Sequence, residues 1–215
     1  MEHCALVMTS YPARLKFVPQ VFEAWTHSNE QPEKKVLYLS LVQYPQRDKS
    51  IPKDILTELL NLNISIIYRG GQDERNFKSY YAGEDFHGWW LLQVDDDFIP
   101  SDGAFDRFYE LHMTHPNAFI TRLDRPIIMG NGIFYNANML DKRYLADMHD
   151  VVPLLLSDLW LSFWACYAHI DVVTMNPALE CTFIKEANEQ YLGLEEDKYI
   201  VPFQDLLIAN YPAEY

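Results

Sequence analysis

The segment Asp95–Asp97 places three adjacent carboxylates directly after the predicted strand Trp89–Val94. If the backbone stays extended, alternate side chains share a face, so Asp95 and Asp97 point one way and Asp96 the other. Carboxylates crowded at the end of a buried strand repel each other and lose solvation, and a divalent cation relieves both penalties. Oxygen ligands suit Mg²⁺ or Mn²⁺. The alternative is an acidic loop in which one Asp caps a helix and the others face water, and the residues alone leave both interpretations open.

Asp158 is the candidate general base. It follows Ser157 at the start of an apolar helix that is predicted to run from Asp158 to Ala168. A carboxylate in the first turn of a buried helix can be aimed into a cleft, where it removes a proton from a hydroxyl nucleophile. The alternative, which these residues by themselves favour, is that Ser157 caps the helix and Asp158 complements the helix dipole.

Other polar residues give weaker signals. Tyr11 and Arg14, just past the first predicted strand, could stack on a base and pair with a phosphate, and Lys78 adds a further positive charge. Each of these residues alone is more often a surface residue. Single histidines at 149 and 169 are candidate metal ligands without a spacing partner, a helical pair at 112 and 115 is predicted to face solvent, and Gly130–Gly132 is predicted to be a tight turn.

Composition limits the classes of partner. The chain has 215 residues and a formal net charge of −14, which argues against nucleic acid or anionic lipid as a main partner. Its 3 cysteines form no C-x-x-C pair, which suits a reducing compartment. No stretch approaches the ~18 apolar residues of a membrane span. We therefore expect a soluble, cytoplasmic protein without a transmembrane segment.

Strands alternate with helices along the chain. Predicted strands are Ala5–Met8, Lys35–Ser40, Ile64–Tyr68, Trp89–Val94, Ala118–Thr121 and Ile133–Tyr135. Predicted helices are Phe17–Trp25, Pro52–Leu60, Phe77–Ala82, a helix capped by Ser101 that ends at His115, and Asp158–Ala168. This order predicts an α/β fold with a mainly parallel central sheet and helices on both faces. Ligands bind at the carboxyl ends of such strands, which makes residues 9–11, 70–71 and 95–97 candidates to line one crevice.

The ordered set of motifs resembles the small nucleotide-sugar glycosyltransferases of the GT-A fold, a Rossmann-related architecture. The similar group is the family-2-like one of bacterial and viral surface-polysaccharide synthesis. The resemblance covers nearly the whole chain. It is carried by the segments Met8–Arg14, Lys35–Ser40, Arg75–Tyr80, Val94–Asp97 and Ser157–Ser162, and by the C-terminal stretch Asn188–Tyr199.

The resemblance implies a function and a role for each site residue. It implies a metal-dependent, inverting hexosyl- or deoxyhexosyltransferase that moves a sugar from a nucleoside diphosphate donor, expected to be UDP-linked, to a glycan hydroxyl. Asp158 would be the general base, and Asp97 with Asp95 would hold Mn²⁺ or Mg²⁺. The implied donor-binding residues are Tyr11, Pro12, Arg14, Lys78, Asp95 and Asp96.

The resemblance also implies one glycosyltransferase domain over residues 1–215. Residues 1–125 would form the nucleotide-sugar-binding half, and 126–215 the half that carries the acceptor site and the base. Two alternatives stay open: a non-catalytic nucleotide- or carbohydrate-binding domain of the same fold, and one domain of a larger multi-domain transferase.

Overall fold

The computed structural model describes residues 3–40, 51–69, 78–122, 132–140 and 157–188. Its strands are β1 (Cys4–Ser10), β2 (Lys34–Ser40), β3 (Ile64–Arg69), β4 (Trp90–Val94), β5 (Phe98–Pro100), β6 (Ala118–Thr121), β7 (Ile133–Asn136), β8 (Asp171–Thr174) and β9 (Cys181–Phe183). Its helices are α1 (Val18–Trp25), α2 (Lys53–Asn61), α3 (Lys78–Asp85), α4 (Ala104–Thr114), α5 (Ser157–Tyr167) and α6 (Lys185–Asn188). Short 3₁₀ helices span Pro12–Phe17 and Ala137–Met139.

Among the described residues, seven strands form the central sheet, in the order β3-β2-β1-β4-β7-β6-β8. The pairs β3–β2, β2–β1, β1–β4 and β6–β8 are parallel. Strand β7 runs antiparallel to both of its neighbours, β4 and β6, so of these seven strands β7 alone is reversed. A separate antiparallel pair joins β5 to β9. The prediction of a mainly parallel sheet is confirmed.

Helices cover both faces of the sheet, because alternate residues of the buried strands point to opposite sides. On one face Leu6 and Leu92 pack in a cluster that includes Phe22 of α1 and Phe108 of α4. On the other face Leu91 packs in a cluster that includes Ala82 of α3 and Leu161, Trp164 and Ala165 of α5. Burial of each large apolar side chain stabilises the fold by roughly 1.5–3 kcal/mol.

Two sequence predictions on the α4 region are wrong. His112 was predicted at the surface, but it is buried, with its ring centroid 3.5 Å from that of Trp90. The reason is its spacing, since Phe105, Phe108 and His112 fall on the same side of α4 and face the sheet. His115 is exposed, as predicted. Ser101 does not cap α4, because the helix begins at Ala104 and its N-cap residue is Gly103. The Ser101 N–H instead donates to Glu180 O beside the β5–β9 pair.

Within the described ranges, none of the helices has both the length and the apolar composition that crossing a bilayer requires.

Candidate functional site

The site is built where β1 and β4 end side by side. These strands pair in parallel, and the last residues that pair are Met8 and Val94. Ser10 is the last residue of β1 and Asp96 is the second residue after β4, so both lie just beyond this pair at the carboxyl ends of the strands. The Ser10 hydroxyl donates a hydrogen bond of 2.5 Å to Asp96 Oδ2.

Arg14 reaches the same carboxylate from the segment after β1. Pro12 is the first residue of a 3₁₀ helix, a position that proline tolerates. In the first turn of this helix the backbone N–H of Arg14 donates a hydrogen bond to Tyr11 O at 2.9 Å. The Arg14 guanidinium then donates from Nη1 to Asp96 Oδ1 at 2.7 Å. It also lies 5.4 Å from the ring centroid of Tyr11, within reach of a cation–π contact.

Asp97 contacts the same guanidinium, which corrects the expectation that Asp96 and Asp97 point to opposite sides. Arg14 Nη1 lies 3.3 Å from Asp97 Oδ2. The expectation assumed an extended backbone, but β4 ends at Val94 and the chain turns at 96–97 before β5 begins. The residue after β9 also holds this turn, since Ile184 N–H donates a hydrogen bond to Asp97 O at 2.9 Å.

This four-residue cluster, Ser10, Arg14, Asp96 and Asp97, is almost sealed from solvent. Relative exposures are 1% for Ser10, 7% for Arg14, 4% for Asp96 and 9% for Asp97. Burial is the largest single influence on the guanidinium and acts to lower its pKa. The charges of Asp96 and Asp97, together with Tyr11 and the hydrogen bond to Asp96, outweigh it, so the pKa of Arg14 lies above its ordinary value. Burying a charge costs free energy unless the charge is paired, and here Arg14 pairs with Asp96 and Asp97 inside the protein.

The donor atoms fit Mg²⁺ or Mn²⁺ in type, because Asp95 and Asp97 offer carboxylate oxygens. Asp95 is half-buried at the end of β4. Within the described parts of the chain, no three His, Cys, Asp or Glu side chains converge closely enough to form a metal cage. A cation at Asp95 and Asp97 would therefore complete its shell with water and with a bound anion, as Mg²⁺ does at phosphate sites.

The remaining predicted site residues have less complete descriptions. Tyr11 is buried and Pro12 half-buried beside Arg14. Lys78 is the first residue of α3 and Asp158 the second residue of α5, but both side chains lie outside the described part of the structure. His149, Gly70, Gly71 and residues 130–131 also lie outside it. His169 is exposed after α5, with a positive φ of 52°. The structure thus brings together Tyr11, Arg14, Asp96 and Asp97.

Ser10 is the residue that sequence reasoning left out of the site. It was expected near the crevice but was given no role. The signal that identifies it is the register of β1 against β4, which depends on the assembled sheet. No pattern in the residues around position 10 carries that information.

An open groove of about 680 Å³ lies next to the cluster. It is bordered by Lys16 and Phe17 on one side and by Phe183 and Ile184 on the other. None of the predicted site residues lines it. It borders the cluster through Ile184, the residue that holds the Asp97 backbone.

Solved glycosyltransferase structures share this architecture. S. aureus TarS matches with a TM-score of 0.57 at 11% identity, covering 80% of this chain and 35% of that chain. TarS 1-349 in complex with UDP-GlcNAc matches with a TM-score of 0.57 at 12% identity, covering 80% of this chain and 56% of that one. The mannosyltransferase PcManGT from Pyrobaculum calidifontis, in complex with GDP-Man and Mn²⁺, also gives 0.57, at 11% identity over 81% of this chain and 55% of that one.

The chain therefore spans about a third of the chain in the first TarS structure and slightly more than half of the chain in each of the other two. No protein-family profile and no curated protein matches the sequence. Identities this low reflect shared architecture. The chain has an α/β fold of the GT-A-like type.

Proposed function

We propose that the protein is a metal-dependent glycosyltransferase that takes a sugar from a nucleoside diphosphate donor. The observation that carries the proposal is the buried cluster of Arg14, Asp96 and Asp97 at the carboxyl ends of β1 and β4. In parallel α/β sheets this edge is where ligands bind. The support from known proteins is that neighbours of the same fold were solved with UDP-GlcNAc and with GDP-Man and Mn²⁺.

The donor site is proposed to lie over the cluster. Tyr11 and Pro12 would contact the nucleotide, with Lys78 supplying a further cation for the diphosphate. Asp95 and Asp97 would hold Mn²⁺ or Mg²⁺, and Asp95 would also contact the ribose or base. When bound, the cation would supply Lewis-acid stabilisation of the departing nucleoside diphosphate.

Asp158 is proposed as the general base of an inverting transfer. Its carboxylate would take the proton of the acceptor hydroxyl while the acceptor oxygen forms a bond to the anomeric carbon. The bond from that carbon to the diphosphate oxygen breaks at the same time, on the opposite side of the sugar. The placement of Asp158 in the first turn of α5, which packs against the sheet through Leu161 and Ala165, supports this role.

The first test is donor binding. We expect UDP, UDP-GlcNAc or GDP-Man to raise the melting temperature in the presence of Mn²⁺ and to lose this effect with EDTA. At a free ligand concentration of ~100 times Kd the stabilisation is ~2.7 kcal/mol, which a thermal-shift assay detects. Absence of any shift with all of these nucleotides and with both metals contradicts the proposal.

The second test separates binding from transfer. Asp158→Asn should bind the donor with unchanged affinity and transfer its sugar ~10²–10⁴-fold more slowly. The matched control is Asp171→Asn, which removes one exposed carboxylate from β8. Full transfer activity in Asp158→Asn would remove the proposed base. Tight donor binding by the wild type without transfer to any glycan acceptor would instead favour the non-catalytic alternative.

A further inference from the structure

The Arg14 guanidinium divides its hydrogen bonds unequally between two carboxylates. Its Nη1 lies 2.7 Å from Asp96 Oδ1 but 3.3 Å from Asp97 Oδ2. The Ser10 hydroxyl donates a second hydrogen bond to Asp96, of 2.5 Å, so each carboxylate oxygen of Asp96 accepts one hydrogen bond from the protein. The firm contact thus anchors Arg14 to Asp96, and the longer contact places its positive charge beside Asp97.

A divalent cation that approaches Asp97 is therefore repelled by the positive charge of the Arg14 guanidinium. Arginine stays protonated at any physiological pH, so this charge cannot be titrated away. In a buried environment the effective dielectric constant is far below that of water, and repulsion between the guanidinium and a divalent cation is correspondingly strong. One guanidinium against Asp96 and Asp97 leaves a single formal negative charge in the cluster.

A bound diphosphate would reverse this balance. Its negative charges attract the cation and Arg14 together, because guanidinium groups pair well with phosphate oxygens. When Arg14 pairs with the diphosphate, its longer hydrogen bond to Asp97 is the weaker of the two and breaks more easily. The shorter bond to Asp96 keeps the side chain in place.

We propose that Arg14 is a resident counter-ion that keeps divalent cations off Asp97 until the donor diphosphate arrives, so that metal and donor bind together. The part that concerns the donor rests on the proposed function. Metal and donor binding are then reciprocally linked, and each raises the affinity of the other by the same factor. Asp96 and Ser10 act as positioning residues that fix Arg14 for this role.

The test is Mn²⁺ binding measured by the electron paramagnetic resonance signal of free Mn²⁺, with and without UDP. We expect wild-type protein to bind Mn²⁺ weakly alone and at least ~10-fold more tightly when UDP is present. The decisive variant is the double substitution Arg14→Gln with Asp96→Asn. It removes one positive and one negative charge, so the formal charge of the cluster is unchanged, and two neutral amides replace the buried ion pair.

In the absence of UDP this double variant should bind Mn²⁺ at least ~10-fold more tightly than wild type, because Asp97 is released from Arg14. Adding Asp97→Asn to the double variant should abolish the gain, which locates the bound ion at Asp97. Arg14→Lys, which keeps the positive charge, should bind Mn²⁺ alone as weakly as wild type does.

The two proposals fail in different ways. If the double variant binds Mn²⁺ no more tightly than wild type without nucleotide, the resident counter-ion is overturned whether or not UDP binds. If wild type binds no nucleotide under any condition while the double variant still gains Mn²⁺ affinity, the proposed function fails and the exclusion of metal by Arg14 stands. Circular dichroism spectra identical to that of wild type establish that each variant is folded.

Discussion

Asp96 and Asp97 are neighbours in the chain, yet their carboxylates have different surroundings. Asp96 accepts a 2.7 Å bond from Arg14 and a 2.5 Å bond from Ser10. Asp97 shares the guanidinium at 3.3 Å and is the more exposed of the two, at 9% against 4%. The cost of burying Asp96 is offset inside the fold, whereas Asp97 lies at the boundary between the cluster and the proposed donor site.

Removal of Arg14 should destabilise the protein strongly. Arg14→Ala leaves two buried carboxylates without their counter-ion, and breaking a buried ion pair in this way costs about 3–5 kcal/mol. Urea denaturation followed by circular dichroism measures the loss. Lys16→Ala is the control, because Lys16 lies in the same 3₁₀ helix with its side chain exposed, and we expect it to change the free energy of unfolding by less than about 1 kcal/mol. Equal stability of the two variants would mean that the Arg14 bonds contribute nothing.

At the scale of elements, the side chain of Asp106 ties α4 to the loop before β2. Asp106, in the first turn of α4, accepts hydrogen bonds from Asn29 N at 2.9 Å, Asn29 Nδ2 at 3.0 Å and Glu30 N at 2.7 Å. Slight burial acts to raise the pKa of Asp106, but these hydrogen bonds outweigh it, so the pKa lies below its ordinary value. The negative charge is therefore favoured by the folded state.

The stability that Asp106 supplies should depend on pH. A carboxyl whose pKa is lowered by folding contributes stability above its unfolded pKa of 3.8 and loses it as the pH falls through the folded value. We expect Asp106→Ala to cost about 1 kcal/mol at pH 7, an amount reduced by solvent screening. The difference from wild type should shrink as the pH drops below about 4. Urea denaturation between pH 3 and pH 7 tests this, and a difference that grows in acid would contradict it.

Gly132 marks the entry to β7 and has no room for a side chain. Its φ is +126°, and an added Cβ would lie 2.9 Å from Phe108 Cζ and 3.0 Å from Trp25 Cη2. Gly132→Ala should therefore lower the free energy of unfolding by about 2–4 kcal/mol through backbone strain and overpacking. Gly88→Ala is the matched control, since Gly88 also has a positive φ, of +84°, but has open space around the Cβ position. Thermal unfolding should show the larger loss at Gly132, and equal losses would exclude the packing contribution.

The regular elements of the sheet can be predicted from the residues because they are long or strongly apolar. β1, β2 and β4 are apolar runs bounded by turn signals, and their predicted bounds agree with the structure to within two residues. The strands β5, β8 and β9 were not predicted, since each has only three or four residues and is too short to show a period.

The site was predictable in part, for a similar reason. Three adjacent carboxylates at the end of a predicted strand indicate a candidate cation site in the sequence alone, and Arg14 follows another predicted strand. That Arg14 would bond Asp96 and Asp97 could not be predicted, because it depends on the β1–β4 register and on the turn at 96–97. Residue patterns describe single strands, whereas the contact depends on how two strands are aligned.

At the scale of the whole molecule, the net charge of −14 opposes the approach of any anion. A nucleoside diphosphate must therefore cross a repulsive field to reach the proposed site. With saturating Mn²⁺, we expect the association rate of UDP to rise roughly two- to fivefold as KCl increases from 20 to 300 mM, because salt screens that repulsion. Stopped-flow fluorescence measures the rate. A decrease with salt would mean that the local cations around Arg14 dominate the encounter instead.

The reversed strand β7 has a consequence for how the protein is made. It lies between β4 and β6, although both of those strands precede it in the chain. On the ribosome, a nascent chain that has released residues up to Thr121 holds two strands whose facing edges cannot be bridged until residues 133–136 emerge. The sheet therefore closes by insertion from the later half of the chain. A cut between Thr121 and Ile133 would break the β4–β7, β6–β7 and β6–β8 pairings together, and each fragment would need the other, or a chaperone, to cover its unpaired strand edges.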